Sequence, residues 1–241
     1  MIDKNTQPDS QQRMDIPVSI SRADILKQIN NERIRPMVEK HLDELILMVQ
    51  NAVHAKALYR VGCVGAKGED WVEIDGIRFT SKVLRGSLAE ISTVIPYVFT
   101  CGKELDELPV SQKEFGRYYC LDAIKMYVAF QAAGYLMNYL KEKFNYPEIT
   151  HLHPGEFADL PIEQQVPLFR LFDDTEKAIG VKLTSNKTIH PVKSGSGLLF
   201  YNGPSFESCQ LCLQPHCTGR RVAYNPALAA KFGIKAKKKN D

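Results

Sequence analysis

The amino-acid sequence predicts an α+β fold, a single domain with a mainly antiparallel sheet and long helices. Three observations carry this expectation. The hydrophobic period changes repeatedly along the chain, from three- and four-residue steps to short β-prone runs and back. Those runs are short and alternate irregularly with helical stretches, unlike the regular strand–helix repeats of a parallel sheet. Two of them are separated only by Asp75-Gly76, the two-residue hairpin signal. With 241 residues, 44% apolar and 24% charged, the chain can bury a sizeable core and is no disordered polymer.

Residues 1–16 are polar and read as a flexible leader, followed by a helical N-terminal extension over 17–60. Ser21 suits the N-cap of a short helix carrying Ile25, Leu26 and Ile29 on one side. Pro36 suits the first turn of a longer helix, in which Val38, Leu42, Leu45, Val49, Ala52 and Val53 recur at helical steps. A core then spans 61–204. Its hairpin pairs Trp71–Ile74 with Ile77–Thr80. Leu84, Leu88 and Ile91 predict a helix, and Tyr97 to Cys101 a buried strand. Ser111 and Glu114 form a capping-box pattern that opens a long helix to about Phe144. Pro161 to Ile179 reads as another helix, kinked or broken at Pro167. Leu183 and Ile189 suit strands, and Leu198 to Tyr201 does so more clearly. A Cys-rich loop (205–228) and a basic tail (229–241) follow.

The charge pattern narrows the function classes. The chain carries a net +3, yet Ala229 to Asp241 holds five lysines against one acid, a net +4 that leaves −1 for the body. A nucleic-acid binder spreads positive charge over a folded face, so no nucleic-acid partner is expected. No stretch approaches the ~18 apolar residues of a membrane helix, and the first residues lack the apolar segment of a secretory signal. The expected location is cytoplasmic, with no membrane association.

Of six cysteines, Cys63, Cys101 and Cys120 sit in apolar segments and read as small buried hydrophobes. Cys209, Cys212 and Cys217 form C-x2-C-x4-C in a stretch bounded by glycine and proline. Thiolates at this spacing can turn onto one metal ion, with His216, another cysteine or an open position as fourth ligand. Zinc and an iron–sulfur cluster both suit these ligands, and the spacing does not choose between them. The competing reading is a loop of free thiols. Arg220 and Arg221 follow, placed to offset thiolate charge or an anionic partner.

Three glycine-punctuated segments lie between His151 and Leu198. The first is His151-Leu152-His153-Pro154-Gly155-Glu156-Phe157-Ala158-Asp159-Leu160-Pro161, a loop in which Pro154-Gly155 turns, Asp159 caps a helix and Pro161 enters its first turn. The others are Ile179-Gly180-Val181-Lys182-Leu183-Thr184-Ser185 and Lys193-Ser194-Gly195-Ser196-Gly197-Leu198. On their own, His153 reads as a surface or capping residue, and Lys193, Ser194 and Ser196 as a polar turn or an anion site.

In this order the segments resemble the activation domain of cobalamin-dependent methionine synthase and its stand-alone relatives. The resemblance is strongest from His151 to Pro204. It extends more weakly back through Leu121-Asp122-Ala123 and Thr100-Cys101-Gly102 to about Tyr97. It implies a C-shaped α+β domain with a shallow groove for S-adenosylmethionine, lined here by His151, Gly155, Glu156, Ala158, Lys193, Ser194, Ser196 and Gly197. The family's arginine four residues before the loop glycine is His151 here, and its tyrosine after that glycine is Glu156. Glu156 suits the ligand's amino or sulfonium group. The implied function is that of an accessory factor for a corrinoid (B12) protein, maintaining or reductively reactivating its cobalt. The sequence holds no Asp-x-His-x-x-Gly corrinoid motif, so the corrinoid is expected to arrive on a partner protein. A non-catalytic module that binds the corrinoid or its protein, with a structural zinc loop, is the alternative. A doubly wound methyltransferase ranks last, because the Gly-rich loop of that fold is missing.

Overall fold

The computed structural model describes residues 11–29, 32–201, 203, 205–214, 216–217 and 220–234. In order the chain forms β1 (Gln12–Asp15), α1 (Arg22–Gln28), α2 (Arg35–Ala52), β2 (Lys56–Tyr59), β3 (Gly62–Lys67), β4 (Trp71–Ile74), β5 (Ile77–Thr80), α3 (Lys82–Ser87), β6 (Thr93–Thr100) and α4 (Phe115–Lys143). Then follow β7 (Thr150–Leu152), α5 (Gln165–Phe169), α6 (Thr175–Ile179), β8 (Lys182–Leu183), β9 (Ile189–His190), β10 (Ser194–Phe200) and α7 (Pro226–Lys231).

Eight strands make one curled sheet whose neighbours are all antiparallel, and β8 and β9 form a separate ribbon. β6 is its spine. One edge of β6 is shared in tandem by β2 (Tyr59↔Tyr97) and β3 (Gly62↔Val94), and the other is covered by β10, which in turn carries β7. The period-2 alternation of β6 separates two cores. Ile95, Tyr97 and Phe99 face α1, α2 and α4, whereas Val94 and Val98 face the cluster around Leu84, Leu168 and Phe200. An α+β fold with a mainly antiparallel sheet is what the period changes predicted.

Local signals explain much of this. Ser21 caps α1 by accepting from the Asp24 amide at 3.2 Å, and Pro36 lies in the first turn of α2. Asp75 (φ +49°) and Gly76 (φ +76°) form the β4–β5 turn, where two positive φ values match the twist of the strands.

Four expectations differ from what forms. The leader 1–16 contains β1, which pairs with β2 and extends the sheet; its residues 1–10 lie outside the described set. The 17–60 segment is no separate extension: α1 and α2 pack with α4 over the sheet, and β2 lies inside the sheet. The long helix starts at Phe115, three residues late: Glu114 does accept from the Ser111 amide at 3.2 Å, but the Ser111 hydroxyl accepts the amide two residues on, at Lys113, and closes a turn instead. The 161–179 helix is two helices, with the break at 170–174. Pro167 sits in the first turn of α5, where its missing N–H costs nothing, and Asp174 starts α6 by capping the Lys177 amide. Residues 235–241 of the basic tail are outside the described set.

Candidate functional site

The site is assembled where β7 lies against β10. The Ser196 carbonyl accepts at 2.8 Å from Nδ1 of His153, and a carbonyl can only accept, so in the neutral form of that ring the proton is on Nδ1. Its Nε2 then accepts from Nδ1 of His151 at 2.8 Å. The result is a hydrogen-bonded file from the backbone of β10 through two imidazoles. Burial, and then the neighbouring His153, push the His151 imidazole down from the usual 6.5 to about 4. His151 is therefore neutral at pH 7, with its lone pair on Nε2. Beneath the pair, Tyr97 meets His153 edge-on at 5.9 Å between ring centres. Burial, and then the Glu156 carboxylate, hold the Tyr97 phenol well above 10. Gly197 is the residue this packing requires, since a Cβ there would lie 2.6 Å from the Tyr97 hydroxyl and 2.9 Å from the Leu152 carbonyl oxygen.

Beyond His153 the chain closes a tight loop. Gly155, at φ +96°, donates its amide to the Leu160 carbonyl at 2.8 Å. Asp159 serves a helix other than the one predicted. Its carboxylate accepts from the Ser81 hydroxyl (2.5 Å), the Val83 amide (2.9 Å) and the Lys82 amide (3.3 Å), which ties the loop to the start of α3. Between this loop and the Cys-rich segment opens a pocket of about 820 Å³, lined by Gly155, Glu156, Ala158, Ile162, Leu211 and Cys212 among others. Glu156 sets the charge at its wall. Oε2 of Glu156 is buried with no hydrogen-bond partner among the described residues, and Oε1 lies 3.9 Å from the Arg221 guanidinium. Arg221 is held more closely by Glu207, at 2.9 Å.

The fold is similar to that of the MetH reactivation domain. The crystal structure of that domain bound to AdoHcy matches with a TM-score of 0.55 and 15% sequence identity, over 82% of this chain and 80% of the other. It is one of 13 solved chains that match. No family model and no curated protein matches the sequence. At 15% identity the likeness to the MetH reactivation domain is one of fold.

The structure divides the residues singled out from sequence. His151, Gly155, Glu156 and Ala158 stand together around the β7 loop, and Ser196 and Gly197 sit beneath it on β10. The Ser196 side chain is buried and donates to Gln165 at 2.6 Å. Lys193 and Ser194 are committed elsewhere: Lys193 pairs with Asp122 of α4 at 2.8 Å, and Ser194 bonds the Thr100 hydroxyl. Ser194 opens strand β10 and Lys193 directly precedes it, where the sequence suggested a polar turn or an anion site. His153, read from sequence as a surface or capping residue, is the middle of the imidazole file. Tyr97, Gln165 and Glu207 were given no role in the site, whereas Arg221 was read with Arg220 as offsetting thiolate charge or an anionic partner. The sequence signal was the Arg220-Arg221 pair, two fixed cations in a loop whose only acid is Glu207.

Among the described residues no group of three His, Cys, Asp or Glu side chains is placed to hold a metal ion, so the zinc or iron–sulfur expectation for Cys209, Cys212 and Cys217 finds no support there. The loop is organised around a guanidinium instead. Arg220 donates to the carbonyls of Cys209 (3.0 Å), Cys212 (3.2 Å) and Gln214. Carbonyls gathered on a cation turn the backbone inward, and Cys217 is left exposed. Elsewhere burial raises the thiols of Cys101 to about 12 and Cys120 to about 11, which suits the predicted role of buried small hydrophobes.

Proposed function

We propose that this chain is an accessory factor for a corrinoid protein, which it helps to maintain or reactivate, and that it binds S-adenosylmethionine or its demethylated product in the pocket beside Gly155. The observation that carries this reading is the fold likeness to a domain solved with AdoHcy, together with a pocket at the loop where the family resemblance is strongest. An opening of about 820 Å³ is within the size range of small-molecule sites. Its apolar lining from Ile162 and Leu211 suits a flat purine ring. A neutral His151 cannot grip the ligand carboxylate, so Arg221, delivered by the C-terminal segment, supplies the guanidinium fork that position 151 lacks. Glu156 contributes negative charge for the ammonium and sulfonium groups. The corrinoid comes with the partner protein.

The test is calorimetry with S-adenosylmethionine and AdoHcy. Saturable binding that is lost in Ala158→Trp, which fills the exposed pocket wall, is the expected result. Absence of saturable binding of either compound at about 1 mM, weaker than about −4 kcal/mol, overturns the ligand assignment.

A further inference from the structure

The outer face of α4 lacks the charge that an exposed helix face normally carries. From Tyr118 to Leu140 the only charged residues are Asp122 and Lys125. Both are tied down within the chain, Asp122 to Lys193 at 2.8 Å and Lys125 to Asp106 at 3.8 Å. The same face leaves Phe115 69%, Phe130 60%, Met126 39% and Tyr119 38% exposed. Their four-, seven- and four-residue spacing keeps them on one stripe. Beside the stripe, α1 and α4 enclose a groove of about 610 Å³ with Ala123 in its lining, walled by Ile25, Ile29, Tyr119, Met126 and Phe130 and edged by Lys27 and Gln28.

We propose that this face is the interface of a homodimer in which two α4 helices pack antiparallel about a two-fold axis at the level midway between Met126 and Tyr127. The stripe is complementary to its own reverse. Antiparallel pairing at that level sets Phe130 of one copy over Ala123 of the other, so that the most exposed ring near the axis enters the groove. It sets Tyr119 opposite Gly134, where no atom lies within 4 Å of a would-be Cβ, and Phe115 opposite Asn138. Large side chains meet small ones at each step, and the two-fold repeats every contact, as an isologous interface requires. At 150–250 Å² per fully buried aromatic, the bare parts of these four side chains supply roughly 450 Å² of apolar area per copy. That is over half of the ~800 Å² per partner in a standard interface. The undescribed ends of the chain do not match the groove: 1–10 and 235–241 hold only Met1 and Ile2 as large aliphatic residues.

Sedimentation velocity on the full chain, from about 1 to 100 µM, reads the oligomeric state directly. The expected species has twice the 27.2 kDa chain mass. Phe130→Asp, at an exposed position that leaves folding intact by circular dichroism, weakens the dimer by about 100-fold or more, since two anchors are lost at once. Ala123→Phe, which fills the groove, does the same. Orientation is read by cysteine substitution on a Cys217→Ser background. Met126→Cys forms an oxidised dimer across the axis. Asn138→Cys does not, because its symmetry mate lies about 35 Å away at 1.5 Å per residue. A chain that stays monomeric over the whole range overturns the proposal and gives the face to a different protein. A dimer that survives both substitutions, or that links through Asn138→Cys, overturns it as well.

Discussion

Replacing Asp159 by alanine probes the contact that fixes the candidate pocket to the rest of the fold. The Asp159 carboxylate accepts from the Ser81 hydroxyl at 2.5 Å, the Val83 amide at 2.9 Å and, more weakly, the Lys82 amide at 3.3 Å. A hydrogen bond to a charged group is worth about 1.5–3 kcal/mol, and a lost N-cap typically about 1 kcal/mol. Two effects reduce the sum. Asp159 is partly exposed, so water replaces some of the lost bonding, and Ser81 still caps α3 by accepting from the Leu84 amide at 3.0 Å. The expected destabilisation is therefore about 2–3 kcal/mol. At the roughly 2–4 °C per kcal/mol of a chain this size, Tm falls by about 5–10 °C. Asp159→Asn keeps an acceptor and loses the charge, and so costs about half as much. Equilibrium urea unfolding measures both, and a cycle with Ser81→Ala should give a coupling energy of about 1 kcal/mol. An Asp159→Ala protein within about 0.5 kcal/mol of the parent, with no coupling to Ser81, would refute the reasoning.

Three further outcomes follow from the same site. His151 binds its proton less readily in the folded chain than in the unfolded one, so stability is full above pH 6.5 and falls as the pH drops from 6.5 to about 4. The loss is about 3 kcal/mol at 1.36 kcal/mol per unit, and His151→Gln flattens it; an imidazole that titrates near 6.5 by NMR would contradict this. Glu156→Gln lowers affinity for S-adenosylmethionine by about 5-fold relative to AdoHcy, because only the former carries a sulfonium charge; equal changes for both in calorimetry would sink that role. Arg220→Gln frees the carbonyls of Cys209 and Cys212. It should speed the reaction of their thiols with a disulfide reagent about 10-fold or more, while added zinc leaves the melting temperature unchanged.

The legible parts of the sequence were those whose cause is local. Ser21, Pro36 and Asp75-Gly76 act within a few residues, and each does in the structure what its chemistry predicts. β10 was hidden over its first half because Ser194-Gly195-Ser196-Gly197 carries no apolar residue. The glycines are there because the Phe99 and Tyr97 rings of β6 lie across them, which is visible only once the strands are paired. Asp159 was correctly read as a cap and assigned to the wrong helix, since a carboxylate does not reveal in sequence which amides it will meet. Arg221 reaches Glu156, and His153 reaches Ser196, only through the fold. The thiol spacing was the most persuasive local pattern. It finds no support among the described residues, where the guanidinium of Arg220 gathers the loop through backbone oxygens that every sequence has.

The position of β10 has a consequence for biosynthesis. Among the described residues it is the last strand of the sheet to leave the ribosome, yet it pairs with β6 from Ile95 to Thr100 and is the only partner of β7. Roughly one hundred codons separate the two pairing segments, about 5–20 s of translation at the slower and faster ends of the usual range. During that interval β6 presents a bare hydrogen-bonding edge, the kind that templates intermolecular association. Nascent chains should therefore engage a holding chaperone until Phe200 emerges, and truncation ahead of Ser194 should yield insoluble material in place of a smaller domain.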